Sequence, residues 1–312
     1  MSGRKASVLV LGGGPDAERE VSLKSAGAIA RALRDAGREV HERTIGAIDG
    51  QELRGMPGEV LWPALHGPWG EGGPMQDLLE ADGRAFVGCG SRAARMAMDK
   101  MGSKLAAARV GVRTAGSCVL NVRDVVCPLS LPVVVKPVFE GSTIGLFVCR
   151  TRAEWDAARA EASRSGKAYM VERFVGGEEL TVGLVERGGA LEALPHIRIT
   201  PKEGLYDYEA KYTREDTVYE VGAALACGAA EEIREGALRV AREIGVRGLS
   251  RADFMLSKED GRVYFLEINT MPGFTDHSLV PMAARASGLE MPALCDLLAS
   301  AAMGGAAGRA AS

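Results

Sequence analysis

Two strand-like segments late in the chain, Leu249–Leu256 and Val263–Ile268, leave few choices for how this region folds. They are joined by the sequence SKEDG, in which Gly261 can adopt positive φ, so we expect an antiparallel hairpin. A three-residue loop would place Asp253 directly opposite Glu267. Two facing carboxylates repel each other unless a cation or a proton lies between them. The hairpin therefore predicts a site for a positively charged ligand.

The two faces of this hairpin differ in chemistry, because successive side chains of a strand point to opposite sides. Arg251 and Asp253 share one face with Glu267 and Asn269. The opposite face is apolar and is predicted to face the core; it carries Phe254, Leu256, Tyr264, Leu266 and Ile268. Carboxylate and amide oxygens suit Mg²⁺. From these residues alone, a solvated face with an Arg–carboxylate pair is the competing interpretation.

The composition is that of a globular chain, and 312 residues correspond to about two domains or three small ones. Charged residues make up 25% of the chain and interrupt every apolar run well before the ~18 residues of a membrane span. The N-terminal apolar run is short, so no signal peptide is expected. A net charge of −3 and an aromatic content of 5% argue against a nucleic-acid partner.

Cysteine usage predicts a reducing, cytosolic environment. The six cysteines form no CxxC pair and have no histidine at zinc-ligand spacing, so we interpret all of them as reduced thiols. They are Cys89, Cys118, Cys127, Cys149, Cys227 and Cys295.

Three domains are predicted along the chain. Residues 1–95 open with an apolar run, three glycines and a helix-period stretch to about Ala36, which is typical of an open parallel α/β sheet. Residues 96–178 and 179–312 are each predicted to form an α+β domain. The glycines at 12–14 do not have the GxGxxG spacing of a dinucleotide-binding loop.

Several elements of the second and third domains can be predicted individually. A single helix is expected from about Arg92 to Ala108, and another follows the capping box formed by Thr151 and Glu154. Two strands, Glu179–Glu186 and Ala190–Thr200, are expected to form a hairpin.

Two loops carry further chemistry. Lys136 ends a predicted strand and is followed by EGSTIG, whose backbone N–H groups and hydroxyls could hold phosphate, although an ordinary turn is the alternative. The loop at about 203–219 contains the tyrosine-rich sequence YDYEAKY. A loop of this length is often a lid, or else a surface excursion.

Taken together, these motifs resemble the D-alanine–D-alanine ligases of the ATP-grasp superfamily. The matching pieces occur in family order from Val8 to about Leu298; they include GGGPDAEREVSLKSA, ALHGPWGEGG, VVVKPVFEGSTIG, YDYEAKY, SRADFML and LEINTMPGFTDHSLVP. The resemblance implies an ATP-grasp fold, with an N-terminal open parallel α/β domain and two α+β domains that grip ATP.

The implied reaction joins two D-alanines for peptidoglycan precursors. The carboxylate of the first D-alanine attacks the γ-phosphate of ATP, and the amine of the second then attacks the acyl phosphate. The resemblance implies two Mg²⁺ (or Mn²⁺) ions held by Asp253, Glu267 and Asn269, with K⁺ as a candidate further cofactor. Divalent cations would screen the approach of two anions.

The resemblance also assigns the nucleotide site. The implied ATP-binding residues are Lys100, Lys136, Ser142, Thr143, Glu172, Arg173, Val175, Glu179, Lys211, Met255 and Leu266. Of these, Glu179 matches the carboxylate on the ribose, and Lys211 matches a γ-phosphate contact in the predicted lid.

The amino-acid site is implied in the same way. Glu18 matches the partner of the first ammonium group and is linked in the family to Ser142 and Tyr212. Arg251 and the Gly273 N–H match the donors to the tetrahedral oxyanion. The remaining implied substrate residues are His66, Ser278 and Leu279.

The chain departs from the family pattern at a few positions. Gly72 replaces an acid, Phe274 a common methionine and Asp276 a common serine. No implied metal, phosphate or substrate position is missing. Tyr212 favours an amine over D-lactate as the acceptor.

Three other functions remain as alternatives: a D-alanine–D-lactate ligase, a non-catalytic ATP-binding homologue and a dinucleotide-dependent oxidoreductase. The expected partners are the small molecules D-alanine and ATP, with no nucleic acid and no membrane. A cytoplasmic homodimer is expected.

Overall fold

Three β-sheets organise the computed structural model of this protein, which describes residues 4–202 and 216–309. The first sheet is parallel, with the strand order β2-β1-β3-β4. Its strands are β1 (Val8–Gly13), β2 (Val40–Ile45), β3 (Val60–Pro63) and β4 (Ala85–Phe86). The helices of this region are α1 (Arg19–Asp35), α2 (Gly50–Arg54), α3 (Gly67–Gly70) and α4 (Pro74–Asp82).

The central strand β1 is buried along its whole length. Val8 and Val10 belong to the core cluster that includes α1, whereas Leu9 and Leu11 belong to the cluster that includes α4. Since a strand sends alternate side chains to opposite faces, helices cover both faces of β1, and its sequence is accordingly apolar throughout. The predicted strand–glycine–helix opening is confirmed.

The second sheet is antiparallel, with the order β5-β8-β6-β7. Its strands are β5 (Ser117–Val119), β6 (Val133–Pro137), β7 (Phe147–Cys149) and β8 (Tyr169–Arg173). Helix α7 (Arg152–Ser165) packs against it through the fully buried Trp155. The predicted capping box is present, because Thr151 accepts a hydrogen bond from the Glu154 N–H and Glu154 accepts one from the Thr151 N–H.

The third sheet has six strands in the order β12-β11-β9-β13-β14, with β10 paired to β9. Its strands are β9 (Gly177–Arg187), β10 (Ala190–Ala193), β11 (Ile197–Thr200), β12 (Val218–Val221), β13 (Leu249–Ser257) and β14 (Val263–Asn269). One face packs on helix α8 (Ala229–Ile244), with Phe254 and Phe265 in edge-on contact. The expected strand over 190–200 is wrong in one respect, since it is divided into β10 and β11.

The hairpin of β13 and β14 contains a β-bulge that the sequence did not reveal. Asp253 lies opposite Glu267 as predicted, but the next pair is Phe254 and Phe265, so Leu266 is the extra residue. A bulge reverses the side-chain alternation beyond it. Phe265 therefore packs with Phe254 in the core cluster of this sheet, and Leu266 faces the cleft. The predicted core-facing position of Leu266 is wrong, whereas Tyr264 is buried in a separate small cluster with Ala115 and Val175.

The single helix expected over 92–108 is also wrong, because it consists of α5 (Ser91–Met98) and α6 (Lys100–Arg109). Asp99 separates them in an extended conformation, and its side chain caps α6 by accepting hydrogen bonds from the N–H groups of Met101 and Gly102. The break matters for the site, since it places Lys100 in the first turn of α6. Both helices pack against β14 and α8.

The last helices are α9 (Leu279–Ala286) and α10 (Met291–Arg309). They join the first and third sheets through one core cluster, which includes Val10 and Ile29 from the N-terminal segment and Val280 and Leu298 from the last helices. All six cysteines are free thiols, as expected. Among the described residues, no helix has the length and apolar character that a membrane span requires.

Candidate active site

Two neighbouring cavities lie where the three sheets approach each other. The larger, of about 660 Å³, lies between the second and third sheets. The smaller, of about 400 Å³, lies between the start of α1 and the segment that follows β14. Gly141 and Glu267 line both cavities, so a ligand in one would meet a ligand in the other at these two residues.

The larger cavity brings together most of the residues assigned to ATP by resemblance. Those that line it are Lys100, Lys136, Thr143, Glu172, Arg173, Val175, Glu179, Met255 and Leu266. Ser142 lines the smaller cavity instead. Lys211 lies outside the described residues, as do Tyr212 and most of the expected lid at about 203–219. The lining combines apolar side chains with lysines and carboxylates, which suits a nucleotide.

A buried ion-pair network forms the cationic side of this cavity. Glu172 on β8 pairs with Lys136 on β6 at 2.6 Å and with Lys104 on α6 at 2.6 Å, one lysine to each carboxylate oxygen. Burial opposes ionisation of Glu172, but the two ammonium groups outweigh it and lower its pKa to about 2. Sequence reasoning did not assign Lys104 to the site, although the residue was visible on the predicted helix.

The acidic hairpin lies at the junction of the cavities. The Arg251 guanidinium donates to both oxygens of Asp253 at 2.9 and 2.8 Å, and the Thr181 hydroxyl donates to Asp253 at 2.6 Å. The amide nitrogen of Asn269 lies 3.3 Å from Asp253. Lys100 approaches Glu267 at 3.4 Å and also donates to the Glu140 carbonyl. The predicted Arg–carboxylate pair and the predicted acidic cluster therefore coexist.

These residues fit a divalent cation. In the described part of the chain, no three His, Cys, Asp or Glu side chains are arranged to hold a metal by themselves. Two carboxylates and an amide oxygen at the edge of a nucleotide-sized cavity match instead the pattern in which Mg²⁺ takes few protein ligands and completes its shell with phosphate and water. Glu267 lines both cavities, so these residues would hold a cation at the junction of the two.

The smaller cavity gathers the residues assigned to the amino-acid substrates. It is lined by Glu18, His66, Ser142, Arg251, Gly273, Ser278 and Leu279. The Ser142 hydroxyl donates a hydrogen bond to Glu18 across a sequence separation of 124 residues. Ser142 and Thr143 have φ values of 51° and 63°, a left-handed conformation that non-glycine residues rarely adopt. The loop backbone is thus held in an uncommon conformation where the two cavities meet.

His66 and Glu71 hold the segment after β14 from the N-terminal side. Glu71 accepts hydrogen bonds from the N–H groups of Gly67 and Met271, both at 3.3 Å. His66 Nδ1 lies 3.0 Å from the Met271 carbonyl, and a carbonyl only accepts, so Nδ1 carries the proton. The Nε2 atom is then a buried acceptor, with no hydrogen-bond partner among the described residues. Met271 precedes Gly273 by two residues, so these contacts position the Gly273 N–H.

Both of these side chains have displaced pKa values. Burial lowers the pKa of His66 to about 4, so the ring is neutral at neutral pH. Burial, together with the nearby Glu18 carboxylate, raises the pKa of Glu71 to about 8. Sequence reasoning did not single out Glu71, because its environment depends on contacts with residues that are distant in sequence.

Glu71 gives a prediction for pH-dependent stability. Its pKa is raised in the folded protein, so folding favours the protonated form, and its stabilising contribution is lost as pH rises from about 4.5 through about 8. We expect the stability of the wild type relative to Glu71→Gln to fall over this interval, by on the order of a few kcal/mol. Thermal unfolding of both proteins across this pH range measures the difference; a constant difference would contradict the prediction.

Two of the three departures from the family pattern, Gly72 and Phe274, have structural reasons. A Cβ atom at Gly72 would lie 2.3 Å from the Pro68 carbonyl oxygen, so the loop closes in a way that only glycine allows. Phe274 is buried against Trp62, with ring centroids 5.7 Å apart, and its N–H donates to Ser25 on α1. Asp276 is exposed, and among the described residues only its backbone carbonyl accepts a hydrogen bond, from Arg285, so nothing in the structure explains its side chain.

Comparison with known proteins agrees with this geometry. A family model described as "D-ala D-ala ligase C-terminus" matches residues 111–300. D-alanine–D-alanine ligase B of Chromobacterium violaceum is 40% identical over 297 residues, which cover 92% of this chain and 95% of that protein. The D-alanine–D-alanine ligase of Syntrophotalea carbinolica is 39% identical over 303 residues, which cover 96% of this chain and 97% of that protein.

Solved structures share the fold over nearly the whole chain. The D-alanine–D-alanine ligase from Coxiella burnetii superposes with a TM-score of 0.84 at 24% identity, covering 99% of this chain and 97% of that one. The VanG D-Ala:D-Ser ligase from Enterococcus faecalis gives a TM-score of 0.83 at 24% identity, and the match covers 96% of this chain and 100% of that one. At this identity the likeness establishes the fold, and the expected ATP-grasp architecture is confirmed.

Proposed function

Because this chain belongs to the D-alanine–D-alanine ligase family, we propose that it is an ATP-dependent ligase that joins two D-alanines into D-alanyl-D-alanine through an acyl phosphate. The observation that carries the proposal is the meeting of the two cavities at Glu267 and Gly141. Phosphoryl transfer to a carboxylate needs the two reactants in contact and shielded from water. A nucleotide-sized cavity that opens onto a smaller polar one satisfies that requirement.

In the larger cavity, we assign the phosphates to Lys100, Lys136 and the loop that carries Thr143, and the ribose to Glu179. Lys211 would reach the γ-phosphate from the lid. The adenine lies against the apolar side chains of Met255 and Leu266, and the backbone of the strand that runs from Glu172 through Arg173 to Val175 reads its edge. The bulge supports this assignment, because it turns Leu266 toward the cavity.

We assign Asp253, Glu267 and Asn269 as ligands of two Mg²⁺ (or Mn²⁺) ions, with K⁺ as a further candidate cofactor. The bound divalent ions would offset negative charge on the phosphates and the attacking carboxylate. The Arg251 guanidinium fixes the orientation of Asp253, since it contacts both carboxylate oxygens.

In the smaller cavity, Glu18 receives the ammonium group of the first D-alanine, and the Ser142 hydroxyl orients that carboxylate. Tyr212 would extend the same network from the lid. Arg251 and the Gly273 N–H provide donors for the oxygen that becomes negatively charged in the tetrahedral intermediate. The neutral His66 closes the cavity behind the first substrate.

The second D-alanine is assigned to the mouth of the same cavity. The side chain of Ser278 and the N–H of Leu279, at the start of α9, would receive its carboxylate. A helix N-terminus favours such an anion because its first N–H groups have no partner within the helix. The amine would then face the activated carbonyl of the first D-alanine.

The wider assignments follow from the same proposal. A supplier of peptidoglycan precursors that consumes ATP would act in the cytoplasm, on small molecules, without nucleic acid or membrane as a partner. We propose a homodimer, and domain boundaries near residues 95 and 178. Both remain predictions.

The direct test is turnover. Purified protein with ATP, Mg²⁺ and D-alanine should release ADP and phosphate in step with D-alanyl-D-alanine, and omission of D-alanine should abolish the release. A protein that binds ATP without D-alanine-dependent release would instead be a non-catalytic homologue. Offering D-alanine and D-lactate together at neutral pH separates the remaining alternative, since preferential ester formation would identify a D-alanine–D-lactate ligase.

A further inference from the structure

Lys104 is a buried cation for which the proposed function has no role so far. Its side chain is only 4% exposed. It contacts Glu172, which lines the nucleotide cavity, but Lys104 is not itself among the described residues that line that cavity. A lysine is rarely buried unless it is paired, because removing its charge from water is costly. Its position therefore calls for an explanation.

The contacts of Lys104 connect both sides of the nucleotide cavity. The residue lies on α6, which packs against β14 of the third sheet, and its Nζ lies 3.4 Å from the Phe265 carbonyl on that strand. The same Nζ lies 2.6 Å from one oxygen of Glu172 on β8 of the second sheet. Lys104 thus joins the two sheets beside the cavity, through a residue that lines it.

The charge balance of the network depends on Lys104. Glu172 has one negative charge and two cationic neighbours, since Lys136 occupies its other oxygen at 2.6 Å. The three side chains together carry one net positive charge. Lys136 and Glu172 both line the cavity, so Lys136 is the cation of the network that a ligand there would meet. Without Lys104, Glu172 would neutralise Lys136 completely, and its second oxygen would be buried without a cation.

We propose that Lys104 is a positioning residue for nucleotide binding: it engages one oxygen of Glu172, so that the charge of Lys136 remains available to the phosphates of ATP. This inference rests on the proposed function, because it assumes that ATP occupies the larger cavity. It assigns Lys104 an electrostatic role exerted through Glu172 and no contact with the substrate.

Two substitutions of Lys104 distinguish the effect of its charge from the effect of its hydrogen bonds and packing. Lys104→Gln keeps hydrogen-bonding capacity toward Glu172 and the Phe265 carbonyl but removes the charge, and Lys104→Met removes both. Binding of the non-hydrolysable β,γ-imido analogue of ATP and of adenosine is measured by calorimetry with Mg²⁺ present. We expect Lys104→Gln to weaken binding of the ATP analogue about tenfold or more, because that ligand carries phosphates. Binding of adenosine, which carries none, should weaken less than about threefold.

A matched control removes a positive charge elsewhere. Lys5 pairs with Asp296 at 3.0 Å, and neither residue lines the two cavities, so Lys5→Met should leave both affinities unchanged. In steady state, Lys104→Gln should raise the KM for ATP while the KM for D-alanine changes less than about twofold. If Lys104→Met does not fold, Lys104→Gln carries the test alone.

The outcomes are distinguishable. An equal loss of affinity for the ATP analogue and for adenosine would reduce Lys104 to a structural link and overturn the proposal, as would unchanged binding of both. Failure of the wild type to bind the ATP analogue would instead overturn the proposed function.

Discussion

Replacing Glu267 with glutamine should abolish turnover and leave the fold intact, with kcat falling by about 10³-fold or more. Glu267 lines both cavities, lies opposite Asp253 and is approached by Lys100 at 3.4 Å. Glutamine has nearly the same shape but no charge, so the site would lose half of its anionic ligand charge. The nucleotide and the carboxylate substrate would then meet with less cationic screening.

The measurement is D-alanine-dependent ADP release at several Mg²⁺ concentrations, combined with thermal unfolding. Glu259→Gln is a suitable control, because Glu259 is an exposed residue in the turn of the same hairpin and should retain wild-type activity. If Glu267→Gln retained near-normal turnover at ordinary Mg²⁺ concentration, the metal assignment would be wrong. Partial rescue by high Mg²⁺ would support it.

The hairpin that contains Glu267 shows how far the sequence can be interpreted. The turn glycine and the alternation of side chains correctly predicted that Asp253 and Glu267 face each other. The same alternation failed beyond Glu267, because the bulge at Leu266 depends on how Phe265 packs against Phe254 and α8. Sequence alternation predicts which face each side chain of a regular strand occupies. It does not predict a bulge, because a bulge depends on contacts with other elements.

In the site, too, residues within local motifs could be predicted, whereas residues whose role depends on partners distant in sequence could not. Motif residues were assigned because they match a family pattern, and the described ones line the two cavities. Lys104 and Glu71 were not assigned, because their environment is created by Glu172 and Met271, which are far away in the sequence. A buried charge is recognisable only when its partner is known. Asp99 was equally hidden inside an apparently continuous helix.

The second large effect on turnover is expected from a substitution of Arg251, even one that keeps the positive charge. Its guanidinium holds both oxygens of Asp253 at 2.9 and 2.8 Å, and the residue also lines the amino-acid cavity. Lysine keeps the positive charge but cannot form this planar, two-point contact. We expect Arg251→Lys to lower kcat about 10²-fold or more, because both the orientation of Asp253 and a donor to the developing oxyanion would be lost.

Kinetics can separate this effect from a loss of substrate affinity. If Arg251 acts mainly on the transition state, kcat should fall while the KM values for ATP and D-alanine change little. Arg262→Lys, on the exposed turn of the same hairpin, is the matched control and should behave as the wild type. A variant with full kcat and a raised KM would show that Arg251 serves ground-state binding only. The oxyanion role would then have to be assigned to the Gly273 N–H, which the Met271 contacts of His66 and Glu71 hold in position.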